Sequence, residues 1–235
     1  MTRKSADAAA TAKAPPPSRR ATIRQRRERA AYDRETVHAI LDAGFLCHVG
    51  FVFQAQPIVI PTNYVRVGEE LILHGALGSR MLRALKDGAP LCITVTHLDG
   101  LVLARSAFHH SVNYRSVVLF GAAREITGAA AKQAALAALV DHIVPGRSAG
   151  ARPPNAAELR ATRVLAVPID EASAKLRQGP PVDDEVDIAL PFWAGEIPLA
   201  LAAGPPRPDP KLAPGIALPA HVAAYGRPAG GAARP

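Results

Sequence analysis

The chain has 235 residues, of which 49% are hydrophobic, and its formal net charge is +8. This length can bury one substantial core, so we expect one domain with tails. Cys47 and Cys92 lie in apolar runs without Cys-x-x-Cys spacing, which argues against a disulfide framework or a structural zinc site. No apolar run reaches the roughly eighteen residues that span a bilayer, and the N-terminus lacks the apolar core of a secretory signal. A cytoplasmic location without a membrane partner is therefore expected.

The positive charge is concentrated at the N-terminus. Residues 1 to 34 hold ten Lys or Arg and three acidic residues, and so carry seven of the eight net positive charges. Basic arms can bind phosphate backbones, but the interleaved aromatic residues of a single-strand binding platform are missing, so nucleic acid is not the expected partner. Residues 1 to 30 are rich in Ala, Lys, Arg and Pro without an apolar period, which predicts a disordered basic tail.

The first predicted elements are a helix and two strands. Asp33 is a suitable N-cap for a short helix that ends at Gly44. From Phe45 the period changes, because residues 45–53 and 57–65 are short β-branched or aromatic runs. These two runs predict a pair of antiparallel strands.

Further strands and helices follow along the chain. Residues 71–74 predict a third strand and residues 79–86 a helix, while three more strands are predicted at 91–96, 101–103 and 116–126. A helix of about four turns carries apolar residues at i, i+3, i+4 and i+7 from Leu136. It is predicted to end at Pro145-Gly146. A short helical segment around Leu159 and a last strand at 164–169 complete the pattern.

This order of elements predicts the fold class. Six or seven short strands with two main helices indicate a mainly β fold, an antiparallel barrel, closed or partly closed, with helices over its openings. We expect this domain to span residues 31–203. Residues 204–235 contain eight Pro, a composition that cannot form a core of its own and predicts an irregular tail. The absence of G-x-G-x-x-G and of G-x-x-x-x-G-K-[ST] argues against Rossmann and P-loop folds.

The densest polar chemistry lies between Ala107 and Gly121, in the stretch AFHHSVNYRSVVLFG. Imidazole is a common metal ligand, so His109 and His110 raise the question of a metal or haem. If the two lie on a strand, however, they point to opposite faces and cannot chelate one ion, so no metal site is predicted. A ligand at this stretch and a loop that hydrogen-bonds its own turns are both open interpretations.

Four pieces of sequence, in order, resemble one protein family. The pattern resembles the pyridoxamine 5'-phosphate oxidase-like superfamily of flavin-binding split β-barrels, and most closely its nitroimidazole-reductase-like branch. The resemblance covers residues 34 to 208 and is carried by Ile60-Pro61-Thr62-Asn63-Tyr64, by Leu77-Gly78-Ser79-Arg80, by Asn113-Tyr114-Arg115-Ser116 with Gly121, and by Trp193-Ala194-Gly195 with Ile197-Pro198-Leu199.

The resemblance implies FMN, with FAD possible, and it assigns residues to the cofactor. Ser79 and Arg80 offer a hydroxyl, a guanidinium and backbone N–H groups suited to a phosphate. Met81 departs from the family pattern, where a second cation is common. His109 and His110 remain candidates for the substrate side. The implied cofactor residues are Pro61, Thr62, Asn63, Tyr64, His74, Gly75, Ser79, Arg80, Arg115, Ser116 and Trp193.

The implied function is that of a flavin-dependent oxidoreductase, in a homodimer whose flavin sites lie at the interface. A small nitroaromatic or quinone-like molecule is the acceptor that this branch suggests. The alternative is a non-catalytic protein that binds or senses flavin or haem. Vitamin B6 oxidation is a weaker alternative, because of Met81 and because a basic clamp for a substrate phosphate is lacking.

Overall fold

Ten antiparallel strands form one strongly curved sheet in the computed structural model, which describes residues 14 to 226. The strands are β1 (Ala30–Ala31), β2 (Leu46–Phe53), β3 (Gln56–Val67), β4 (Glu70–Ala76), β5 (Pro90–Leu103), β6 (Ser111–Ala122), β7 (Arg124–Glu125), β8 (Thr162–Pro168), β9 (Glu171–Arg177) and β10 (Gly195–Pro198). The helices are α1 (Arg34–Ala43), α2 (Arg80–Leu85), α3 (Ala129–Ile143), α4 (Ala156–Ala161) and α5 (Ala220–Ala223).

Two long strands change partners along their length and so give the sheet its split-barrel shape. The order is β1-β9-β6-β5-β2-β3-β4-β8-β7, with β10 added to β5. The first part of β3 pairs with β2 as far as Asn63, and its last residues, from Tyr64, pair with β4. Likewise β5 pairs with β2 at one end and with β10 at the other. The predicted mainly β barrel of split type is confirmed.

The inner face of the sheet surrounds α1 and α2. Alternate residues of each strand face inward, and Cys47 and Val49 of β2 share one buried cluster with Ile40 and Leu41 of α1 and Leu82 of α2. A smaller cluster lies where α3 packs against β3, β4 and β8. Two separate apolar clusters therefore hold the helices to the sheet.

The C-terminal end of α1 is fixed by side chains from other elements. The Tyr64 hydroxyl donates to the carbonyl oxygen of Leu41 at 2.5 Å, and a His97 ring nitrogen lies 2.9 Å from the Ile40 oxygen. A Cβ atom at Gly44 would lie 2.9 Å from His97 Cε1 and 3.0 Å from the Tyr64 hydroxyl oxygen. Only glycine fits at this position without displacing those side chains.

Most predicted elements are present, with three differences. Residues 91–96 and 101–103 belong to one strand, β5, whose register shifts between Leu98 and Gly100. Strand β6 begins at Ser111, five residues before the predicted start at 116. Strands β1, β9 and β10 and helix α5 are absent from the predicted pattern.

The N-terminal segment differs from the predicted tail in the part that the structure describes. Ala21 is buried, Arg20 forms an ion pair with Glu171, and the backbone N–H of Ile23 donates to the Tyr32 hydroxyl at 2.8 Å. Residues 27–29 form a 3-10 turn that leads into β1. These contacts hold residues 18 to 31 on the barrel, so the predicted start of the domain at 31 is too late. Residues 1 to 13 of the predicted tail lie outside the described range.

A long segment follows β9 and contacts the domain at several places, of which two matter here. Strand β10 pairs with β5, and near the end the Tyr225 hydroxyl donates to the carbonyl oxygen of Ile143 at 3.1 Å. Every residue from 199 to 219 between these points is exposed. We call residues 199–219 the strap. The predicted tail begins within it, and its residues 227–235 lie outside the described range. No helix between residues 14 and 226 has the length and hydropathy needed to cross a membrane.

Candidate functional site

The predicted ring-contacting residues on β3 are divided between two faces of the sheet. Pro61 is exposed and Asn63 half-buried on the outer face, where the Asn63 side-chain amide donates to the Phe45 carbonyl oxygen at 3.3 Å. Thr62 pairs with Cys47, whose side chain lies in the core, so Thr62 faces inward. A ligand on the outer face of this sheet can therefore contact the side chains of Pro61 and Asn63, but not that of Thr62.

Tyr64 lies in the core instead of at a cofactor. Its exposed fraction is 0%, and its hydroxyl donates a hydrogen bond to the Leu41 carbonyl oxygen. Its ring packs against His142 at a centroid distance of 5.9 Å. The prediction that the Tyr64 side chain contacts a flavin ring is wrong, because strand alternation directs it into the barrel.

His74 and Gly75 lie where β3 and β4 separate. The last pair between these strands joins Tyr64 to Leu73, so His74 is the first residue of β4 beyond it. The His74 Nδ1 atom is buried without a hydrogen-bond partner in the described chain, and burial lowers its pKa. Helix α2 covers Gly75 so closely that a Cβ there would lie 2.9 Å from Leu82 Cδ1. This nitrogen can therefore form a hydrogen bond with a ligand that lies next to α2.

Ser79 and Arg80 begin α2 as predicted. Ser79 is the N-cap, and its hydroxyl oxygen accepts a hydrogen bond from the Leu82 N–H at 3.4 Å. Arg80 is exposed, with its guanidinium carbon 5.8 Å from the centre of the Phe53 ring. Within residues 14 to 226 Arg80 makes no ion pair, so its charge is available to an anion.

Arg115 and Ser116 are adjacent on β6 and face opposite sides of the sheet. Arg115 forms two hydrogen bonds to the Asp99 carboxylate, at 2.9 and 2.8 Å, and lines a cavity of about 290 Å³ that also contains Glu196. The Ser116 hydroxyl instead donates to the Lys175 carbonyl oxygen at 3.2 Å. The structure does not bring this pair to one site. With two carboxylates at its cavity, Arg115 is a poor phosphate ligand.

Trp193 lies on the segment before β10 and is 69% exposed. A Cβ atom at Gly195 would come within 2.8 Å of its ring, so Gly195 provides the space against which the indole packs. Two residues later in chain order, β10 joins the edge of β5. The indole is therefore held by its own segment and presents most of its surface outward.

The outer face of β2, β3 and β5 carries large apolar side chains that no helix covers. We call this the outer sheet face. Its members are between 50% and 65% exposed, and they are Leu46, Val52, Val59 and Leu98. Scattered apolar residues are normal on a surface, but four on adjacent strands form a patch of the kind found at interfaces.

His109 and His110 line one cavity of about 900 Å³. Residues 107–109 form a 3-10 turn, and β6 starts only at Ser111, so strand alternation does not apply to the two histidines. Phe108, which is 89% exposed, stands beside them at the rim. The strand on which the expectation of opposite faces depends is therefore absent at these two residues.

Three arginines face the same cavity, which we call the arginine-histidine cavity. Arg26, Arg29 and Arg177 line it, and Arg177 is only 8% exposed. Burial and the nearby positive charge of Arg29 lower the pKa of Arg177. The Arg177 guanidinium donates to the Asn113 side chain and to the carbonyl oxygens of Gly179 and Pro180, all of them uncharged.

The acidic partner of His109 lies on a distant part of the chain. The His109 Nε2 atom lies 3.2 Å from an Asp184 oxygen, and Asp187 is close enough to complete a group of three within 4.8 Å. These residues are separated by about 75 positions in the chain, so spacing alone does not connect them. His109 thus has an acidic partner, whereas His110 has a backbone one.

Comparison with known proteins identifies relatives of this fold. The family model described as pyridoxamine 5'-phosphate oxidase matches residues 33–176. Among curated proteins, none matches the sequence significantly. The flavocytochrome Anf3 from Azotobacter vinelandii is 43% identical, with a TM-score of 0.85 over 88% of this chain and 96% of that one.

Two further structures are similar. A FAD and haem binding protein from Mycobacterium smegmatis is 43% identical, with a TM-score of 0.79 over 83% of this chain and 95% of that one. A protein from Bacteroides thetaiotaomicron named for 5-nitroimidazole antibiotic resistance is 22% identical, with a TM-score of 0.52 over 62% of this chain and 85% of that one. The last shows likeness of fold alone. The resemblance found in the sequence is confirmed, and the chain belongs to the pyridoxamine 5'-phosphate oxidase family.

Proposed function

We propose that this protein is a flavin-dependent oxidoreductase. The observation that carries the proposal is the 43% identity, over most of both chains, to a flavocytochrome and to a FAD and haem binding protein. The FAD named for the mycobacterial relative supports FAD as the first flavin to test, ahead of the FMN implied by the sequence pattern. Both flavins carry a phosphate and an isoalloxazine ring, so the residues discussed next serve either one.

The geometry favours the region where β3 and β4 separate as the flavin site. Arg80 offers an exposed guanidinium for the phosphate, and Asn63 lies on the outer sheet face two residues from Pro61. The unpartnered His74 Nδ1 offers a polar contact beside α2. Ser79 adds a hydroxyl at the start of that helix. Arg115, Tyr64 and the inward-facing Thr62 are not included, because their side chains are committed elsewhere or turned away.

A bound flavin supplies the hydride or electron chemistry, and the protein supplies binding, orientation and exclusion of water. Small nitroaromatic or quinone-like molecules are the acceptors to test. No residue is proposed as a dedicated acid or base, since the flavin carries the redox step.

We propose further that the protein works as a homodimer through the outer sheet face. The support is the patch of Leu46, Val52, Val59 and Leu98, which would be covered in a pair of barrels. A Val59→Glu substitution should convert a dimer into a monomer in light scattering, whereas a charge placed at the exposed strap residue Leu201 should not. Equal masses for wild type and Val59→Glu would contradict this interface.

The visible spectrum of the purified protein, followed by titration with FAD and with FMN, tests the main proposal. A flavin band or saturable binding of either flavin is the expected result. Loaded protein should then pass electrons from a pyridine nucleotide or dithionite to a nitroaromatic or quinone acceptor. Protein that neither carries nor binds flavin would overturn the proposal.

A second candidate is a non-catalytic protein that carries or senses flavin or haem. The haem named for the mycobacterial relative, together with the arginine-histidine cavity, supports it. Flavin-loaded protein that reduces no acceptor with either donor would favour this candidate over the first.

A further inference from the structure

We propose that His109, Asp184 and Asp187 bind a divalent transition-metal ion, with Zn²⁺ as the first candidate. One imidazole nitrogen of His109 and one oxygen of each carboxylate lie within 4.8 Å of one another. We call these three residues the His-Asp-Asp cluster. Two of its members line the arginine-histidine cavity, and none belongs to the proposed flavin region. The inference is therefore independent of the flavin function.

The two carboxylates of the cluster lie on one 3-10 turn. Residues 185–187 form this turn, and Asp184 is its N-cap. A 3-10 helix has three residues per turn, so side chains three positions apart lie one above the other. Asp184 and Asp187 have this separation, whereas the exposed Glu185 between them is not part of the cluster. The turn thus presents two of its carboxylates together.

Asp183 holds this turn next to the histidine. Its carboxylate accepts hydrogen bonds from the Arg105 backbone N–H at 2.9 Å and from the Arg105 guanidinium at 3.0 Å. It also accepts from the Ser106 N–H at 3.4 Å, and its side chain is only 3% exposed. Ser106 is the N-cap of the 3-10 turn that ends at His109. Two segments that are 77 positions apart in sequence are therefore joined just before the proposed ligands.

The spacing of the polar atoms agrees with that of metal ligands. Zn²⁺ binds imidazole nitrogen and carboxylate oxygen at about 2.0–2.2 Å in a tetrahedral arrangement, so neighbouring ligand atoms lie roughly 3.3 Å apart. The His109 Nε2 atom is 3.2 Å from the Asp184 oxygen. Rotation of the Asp184 side chain, which is 73% exposed, can shorten the longer distances without disturbing the core. One imidazole with two carboxylates also favours Zn²⁺ over Ca²⁺ and Mg²⁺, which prefer oxygen ligands only.

The adjacent histidine is not part of the cluster. His110 Nδ1 lies 3.0 Å from the carbonyl oxygen of Ser106, and within residues 14 to 226 His110 forms no ion pair with a carboxylate. The cluster uses only His109, so it does not require two neighbouring histidines to chelate one ion. His110 is consequently a matched control for His109.

The charges around the cluster influence its fourth ligand. Three arginines line the cavity, Arg26, Arg29 and Arg177, and Glu28 with the two cluster aspartates supplies three negative charges. A divalent ion adds two positive charges to this balanced set. Three protein ligands leave one tetrahedral position open, as in catalytic zinc sites. We expect a hydroxide or a carboxylate in that position, because an anion offsets the excess positive charge.

Isothermal titration calorimetry of the full-length protein, without an affinity tag, tests the proposal. Wild type freed of metal by a chelator should bind one Zn²⁺ per chain, and Co²⁺ in the same site should show the visible absorption of a tetrahedral ion. His109→Ala and Asp187→Asn each remove one ligand. Both should weaken Zn²⁺ binding by at least about 100-fold, since even residues that only support ligands contribute about 10- to 100-fold.

Two control variants separate the site from general surface acidity. Glu185→Gln removes a carboxylate from the same turn, His110→Ala removes the adjacent imidazole, and both should keep the affinity of wild type. The proposal is overturned by wild type that binds no stoichiometric Zn²⁺, by His109→Ala with undiminished affinity, or by equal losses in Asp187→Asn and Glu185→Gln. Circular dichroism shows whether each variant is folded. Flavin binding without Zn²⁺ binding refutes only this inference, and Zn²⁺ binding without flavin refutes only the flavin function.

Discussion

Replacement of Arg80 by Ala is the most direct test of the proposed flavin site. The guanidinium is exposed and makes one described contact, over the Phe53 ring at 5.8 Å. A charged hydrogen bond is worth about 1.5–3 kcal/mol when buried, and exposure of this side chain reduces the expected value to about 1–2 kcal/mol. The dissociation constant for flavin should therefore rise about 5- to 30-fold.

The same substitution should hardly affect stability. An exposed cation–π contact contributes about 0.5 kcal/mol, which corresponds to a fall of about 1–2 °C in Tm for a domain of this size. Fluorescence titration with FAD measures the affinity, and differential scanning fluorimetry of the protein without added flavin measures Tm.

Arg83→Ala is the matched control, because Arg83 is an exposed arginine in the last turn of the same helix. It removes the same charge from the same element but at the end away from Ser79. Flavin affinity should stay at the wild-type value. Equal affinities for wild type, Arg80→Ala and Arg83→Ala would refute the placement of the phosphate at the start of α2.

Three further substitutions separate structural from cofactor roles. Tyr64→Phe should lower the free energy of unfolding in urea by about 0.5–1.5 kcal/mol, because a buried hydrogen bond to Leu41 is lost, and should leave flavin affinity unchanged; weaker flavin binding at equal stability would return Tyr64 to the site. Arg115→Ala should cost about 1–3 kcal/mol of stability by leaving Asp99 unpaired, again without a change in flavin affinity, and the opposite pattern would restore Arg115 as a phosphate ligand. Burial alone would raise the pKa of Asp183, but hydrogen bonds from the Arg105 side chain and from two backbone N–H groups outweigh it, so the pKa of Asp183 in the folded state is lowered. The ionised Asp183 carboxylate therefore stabilises the folded state fully at neutral pH, and this stabilisation is lost as the pH falls below about 4. The urea midpoint should consequently fall less between pH 7 and pH 3 in Asp183→Asn than in wild type.

The sequence predicted those elements whose signal is local. The β-branched runs predict β2 and β3, and the spaced apolar residues predict α1, without knowledge of what these elements pack against. Strand β9, EASAKLR, has no such signal, because Ala, Ser, Glu and Lys are poor strand formers. It becomes a strand by pairing with β6 along its whole length. The N-terminal segment was missed for the same reason, since Arg20 and Glu171 are 151 residues apart.

Strand alternation describes the side chains of β3 and β6 but not the two histidines that precede β6. Strand alternation, applied to β3 and β6, would have turned Tyr64 inward and placed Arg115 and Ser116 on opposite faces. It does not apply to His109, which ends a 3-10 turn, or to His110, the C-cap of that turn, and both residues line one cavity. The start of α2 was predicted well, because an N-cap serine followed by an arginine is a local pattern.

The strap is attached to the domain at both of its ends. Strand β10 holds one side of residues 199–219 on the barrel, and Tyr225 holds the other side against the end of α3. A protease that cuts an exposed peptide bond within the strap would therefore separate the chain into two pieces that each keep their own attachment. The nicked protein should elute from a sizing column like the intact one and resolve into two fragments only after denaturation.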